Sequence, residues 1–157
     1  MPMIYYITVI VACGLFATTT MTLFVLLVNK VTGKRLNVIR ILGTMLTSQT
    51  QADGSTSPRT NSIAAGVTAH YAVGFFFTTV YVIAWQHNWL GYALTDCAVI
   101  GLVTGMVGII VWRIYFAIHR FAPAVQLNIY LTTILIAHIV FGLSAGWIYW
   151  LMAGAGI

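Results

Sequence analysis

Four apolar runs, each more than twenty residues long, leave this chain few ways to fold. They lie at about 4–28, 63–86, 94–118 and 129–152. A helix rises about 1.5 Å per residue and the hydrocarbon core of a bilayer is about 30 Å thick, so each run is long enough to span it. Only 6% of the 157 residues are charged and 61% are hydrophobic, with a mean hydropathy of +0.96. A soluble domain carries about 25% charged residues. Seven Lys/Arg and two Asp/Glu cannot cover a globule of this size with a solvated surface. The sequence therefore predicts an all-α integral membrane protein, a single transmembrane domain of four helices whose first partner is the lipid bilayer.

The net charge of +5 is no footprint for nucleic acid, because the basic residues gather at span ends and in one connection. Lys30, Lys34, Arg35, Arg40 and Arg59 lie between the first two spans. Arg113 and Arg120 flank the end of the third. The positive-inside rule places these connections in the cytoplasm and both termini on the periplasmic side. Tyr5, Tyr6, Trp85, Trp89, Tyr92, Trp147 and Trp150 would then fall at the outer interface. That band is larger than anchoring needs, and it suggests contact with another membrane subunit or with a second copy. The first run has no basic leader and continues past Cys13 to Val28, too long for a signal peptide, so it reads as a retained span. Cys13 and Cys97 follow no ligand spacing and read as buried small hydrophobes.

In the connection 29–62, Val38, Ile41, Leu42, Met45 and Leu46 recur at helical spacing behind Asn37, a fitting N-cap. This predicts a short amphipathic helix over about 37–47, lying on the membrane surface. The Ser/Thr/Gln-rich stretch 48–58 reads as a flexible loop.

The chemistry of the chain centres on a motif that occurs twice. Ala69-His70 is followed by Gly74 and Tyr81, and Ala137-His138 by Gly142 and Tyr149. The two copies are 68 positions apart, and Gly14-Leu15 matches Gly101-Leu102 at an offset of 87. The difference is the extra length of the first connection. Two tandem helical hairpins in a parallel pseudo-repeat, one with an expanded loop, would produce this pattern. Gly14 and Thr18 begin a stripe with Met21 and Val25. Gly101, Gly105 and Gly108 share one face of the third span, including a G-x-x-x-G. With Tyr81 and Tyr149 these are the expected helix-packing residues.

An ionisable group inside a membrane helix is costly and suggests function. At 100° per residue, His, Gly and Tyr of each motif share a face, so both imidazoles face other helices. In an up-down-up-down bundle the second and fourth spans are diagonal, and the two imidazoles then point toward each other. Three readings follow. In the first, the histidines pack structurally, bonding across helices to Thr18, Thr22 or Thr104, in a non-catalytic subunit of a larger membrane complex, in keeping with respiratory assemblies. In the second, His70 and His138 ligate a b-type haem, with Gly74 and Gly142 making room for the macrocycle. In the third, the histidines and tyrosines form a polar column in a small transporter or proton-handling protein. His87 and His119 lie at span ends and read as interfacial. No hydrolase, phosphate-loop or metalloprotease pattern is present, so the sequence offers no catalytic set and no metal site beyond the haem reading.

Thr20-Met21-Thr22, His70-Tyr71-x-x-Gly74 with Tyr81, and Ala137-His138-Ile139-Val140-Phe141-Gly142 resemble a group of small, uncharacterised bacterial inner-membrane proteins of four helices. The resemblance implies that fold and that membrane. It implies no activity, cofactor or partner.

Overall fold

The computed structural model describes residues 3–154. The chain forms α1 (Met3–Thr32), α2 (Val38–Leu46), α3 (Thr60–Gln86), α4 (Leu94–Ile118) and α5 (Leu127–Gly154). All but α2 are long and apolar enough to cross a membrane. Gly33, at φ +65°, takes the left-handed position that ends α1.

The four long helices form a ring in the order α1, α3, α4, α5. α1 packs along both α3 and α5, and α4 packs along α5. α3 and α4 close the ring only loosely, through side chains. Between them Tyr81 Oη and Thr104 Oγ1 lie 2.7 Å apart. Thr104 Oγ1 also lies 2.9 Å from the Ile100 carbonyl and 3.1 Å from the Gly101 carbonyl. α3 and α5 are therefore diagonal, as the sequence suggests. More than half of the apolar window of α5 is inside the bundle, against 22% for α4. The burial pattern explains why. On α5 buried residues recur in pairs (Ile134 and Ala137, His138 and Phe141, Gly142 and Ala145), which makes a broad stripe. On α4 only Cys97, Gly101 and Gly105 are buried, a narrow one.

The two hairpins pack by different means. Between α4 and α5, small residues let the backbones touch. A Cβ on Gly101 would run into the backbone of His138 and Ile139, and one on Gly142 into Cys97 and Gly101. Between α1 and α3, side chains stand in the way. Gly14 lies under the Phe75 ring, and Gly74 is covered by the Thr18 side chain.

α2 forms where expected, and the Asn37 side chain accepts a hydrogen bond from Arg40 N at 3.1 Å. Its apolar stripe faces protein. Val38, Ile41 and Met45 are buried, and Gly43 and Gly66 bring the backbones of α2 and α3 into contact. The helix thus docks onto the start of α3. The stretch predicted to be a flexible loop is held by its own polar side chains. Ser57 N donates to Thr44 Oγ1 at 2.8 Å, and Gln51 Nε2 donates to Ser55 Oγ at 2.7 Å. Both connections with basic residues lie at one end of the bundle and touch there. Ala124 N donates to the Gly54 carbonyl at 2.8 Å, and Thr50 Oγ1 donates to the Phe121 carbonyl.

At the opposite end, the aromatic residues divide into two groups. Tyr5, Trp85 and Tyr149 are buried, and the Trp85 and Tyr149 rings pack at a tilt of 41° with centroids 4.7 Å apart. They plug the bundle. Trp89, Tyr92, Trp147 and Trp150 remain on its surface. The excess of aromatic residues read from the sequence is thus partly an internal plug.

Candidate functional site

His70 and His138 line one cavity of about 210 Å³. It lies between the bundle middle and the loop end. Thr18 and Met21 of α1, Gly74 and Phe77 of α3, Gly108 and Trp112 of α4, and Ile134 and Phe141 of α5 contribute, with Val38 and Leu42 of α2 as the floor. α3 and α5 begin at Thr60 and Leu127, before their apolar runs. Each imidazole therefore sits about 15 Å along its helix.

The cavity lies where the ring is open. Val73 of α3 and Val107 and Val111 of α4 line it, yet all three are exposed on the outer surface of the bundle. These residues bring the cavity to the outer surface of the bundle between α3 and α4.

The two histidines are held differently. His70 Nε2 lies 3.0 Å from Thr22 Oγ1 on α1, and Thr22 Oγ1 donates to the Thr18 carbonyl at 2.7 Å. His138 turns back on its own helix and places Nδ1 2.8 Å from the Ile134 carbonyl. The cause is the facing helix. α4 presents Gly101, Gly105 and Gly108 to His138, and these have no side chain to offer. Both imidazoles are over nine-tenths buried. Thr18 Oγ1 is buried in the same wall with no hydrogen-bond partner.

The expected polar column is divided. The cavity holds both histidines and neither tyrosine of the motif. Tyr81 is the α3–α4 link to Thr104, and Tyr149 belongs to the aromatic plug. The glycine one turn after each His gives no free space, since Gly74 meets Thr18 and Gly142 meets α4. Gly105 and Gly108 make the room beside His138. A haem fits this arrangement poorly. His70 Nε2 is already bonded to Thr22, and a cavity of about 210 Å³ is close to the roughly 150 Å³ that admits a single benzene ring, far short of a tetrapyrrole. Sequence reasoning did not find Phe77, Trp112 or Phe141. Phe77 and Phe141 carry a signal in hindsight, because they follow His70 and His138 at helical spacings of seven and three. Trp112 carries none, because its role depends on how α4 is placed.

Against known proteins, the chain matches no family model, no curated protein and no solved structure.

Proposed function

We propose that this chain is a non-catalytic component of the bacterial inner membrane that holds a small lipid-soluble molecule in the cavity between α3 and α4. The observation that carries this reading is the cavity's opening onto the lipid-facing surface, with two buried imidazoles inside. Binding sites of this kind are mostly apolar with a few placed polar groups. The basic connections at one end support a topology with both termini periplasmic. The matched motifs at His70 and His138, 68 positions apart, support two hairpins of common origin. The exposed Trp89, Trp147 and Trp150 support a place in a larger assembly, where they would meet another subunit.

The test is organic extraction and mass spectrometry of protein purified in mild detergent from bacterial membranes. A small molecule should be retained near one per chain. Val107→Trp, which fills the mouth from a lipid-facing position, should remove it. Retention unaffected by Val107→Trp would place the molecule elsewhere. Absence of any retained or added ligand would sink the reading.

A further inference from the structure

The hydrogen bonds fix the protonated nitrogen of His138 and favour one tautomer of His70. A carbonyl only accepts, so His138 Nδ1 donates its N–H to the Ile134 carbonyl. A neutral imidazole has one such proton, so His138 Nε2 is a bare lone pair. It lies beside Gly108, in the cavity wall. The Thr22 hydroxyl has one proton and donates it to the Thr18 carbonyl, 2.7 Å away. With that proton on the nearer acceptor, the contact with His70 becomes a second hydrogen bond only if His70 Nε2–H donates to Thr22 Oγ1; this tautomer satisfies both contacts and leaves His70 Nδ1 bare. Neither bare nitrogen has a protein partner among the described residues. The cavity thus offers two hydrogen-bond acceptors from diagonal helices. The rest of its lining is apolar and aromatic apart from the Thr18 and Tyr115 hydroxyls and the Trp112 indole.

We infer that the cavity binds a membrane-dissolved hydroquinone, a flat ring with an O–H on opposite edges, one donating to His70 Nδ1 and the other to His138 Nε2. The inference rests on the ligand-holding role proposed above and names its chemical class. Three observations converge on it. The volume suits one substituted aromatic ring, since a cavity of about 150 Å³ already admits benzene. Phe77, Trp112 and Phe141 provide ring faces and edges for it. The mouth at Val73, Val107 and Val111 gives an alkyl tail a route into lipid. The arrangement also selects a redox form. A quinone has two carbonyl acceptors and would set lone pairs against lone pairs, leaving both imidazoles unsatisfied. Two unmade buried hydrogen bonds correspond to a preference of at least about tenfold for the reduced form.

The test is anaerobic equilibrium binding of three ligands to the full chain in phosphatidylcholine–phosphatidylglycerol nanodiscs, followed by tryptophan fluorescence. The ligands are a decyl-substituted hydroquinone, its quinone and its dimethyl ether. The hydroquinone should bind at least about tenfold tighter than either of the others. His70→Leu and His138→Leu should each reduce the preference. Val107→Trp, whose site faces lipid, should block all three ligands without unfolding the bundle. Equal affinity for the three ligands overturns the inference, as does a Soret band on haem addition. If none binds while the native extract holds another molecule that Val107→Trp removes, the hydroquinone assignment fails and the ligand-holding role stands. If nothing binds and nothing is retained, both fail.

Discussion

The same motif, Ala-His-x-x-x-Gly, is put to two uses in the two hairpins. In α1/α3 the histidine reaches across to a hydroxyl on the neighbouring helix. In α4/α5 it folds back onto the Ile134 carbonyl of its own helix, because the neighbouring face is glycine. The difference extends to packing. Glycines bring the backbones of α4 and α5 together, whereas Thr18 and Phe75 hold the α1/α3 pair through side chains. It also shapes the ring as a whole. α1 lies close along α5, but the corresponding α3–α4 side stays open, and the cavity sits there. One motif placed in two surroundings gives a tethered imidazole and an untethered one. A site with two distinct walls results.

The largest expected effect tests the packing contrast. Gly101→Leu drives a side chain into the α5 backbone and should cost about 3 kcal/mol or more, read as a large drop in thermal midpoint in detergent. Gly14→Ala meets only the Phe75 ring and Thr78, and should cost about 1 kcal/mol. Equal losses would erase the distinction between backbone and side-chain packing. Next comes the tether. Thr22→Val removes the partner of His70, and a double-mutant cycle with His70→Leu should give a coupling of about 1 kcal/mol. The same cycle between His138 and Ile109, which stands 87 positions after Thr22, should give a coupling near zero.

A similar loss, about 1 kcal/mol, is expected from Tyr81→Phe, which removes the Tyr81–Thr104 hydrogen bond across the open side. Crosslinking between cysteines placed on α3 and α4 should become slower or more dispersed. Unchanged crosslinking would show that other contacts set the gap. The smallest effect is expected from Gly108→Ser. It places a hydroxyl beside His138 Nε2 and should supply the cross-helix bond that His70 already has. The imidazole ¹⁵N shifts of His138 should then report a hydrogen-bonded Nε2, with a stability change of about 0.5 kcal/mol. Unaltered shifts would mean that His138 Nε2 does not face Gly108 closely enough to be recruited.

Much of this architecture follows from the sequence alone. Four apolar runs with so little charge can satisfy their backbone groups in a bilayer only as helices. The stripe Gly14, Thr18, Met21 and Val25 is buried on α1 because 3.6-residue periodicity is a local property. That His70 and His138 come to one place follows from two motifs on diagonal helices, and Thr22 was among the three threonines expected to bond them. The tertiary structure decided the rest. Whether α2 lies on lipid or on protein depends on Gly43 meeting Gly66, a contact between distant segments that no periodicity encodes. The glycines beside the histidines look like open space in sequence, yet neighbouring helices fill them. The cavity exists because α3 and α4 stay apart, and its acceptor character follows from where the Ile134 carbonyl and Thr22 hydroxyl lie relative to two imidazole rings. A histidine in a sequence carries either tautomer; only its neighbours in space fix which nitrogen is left free.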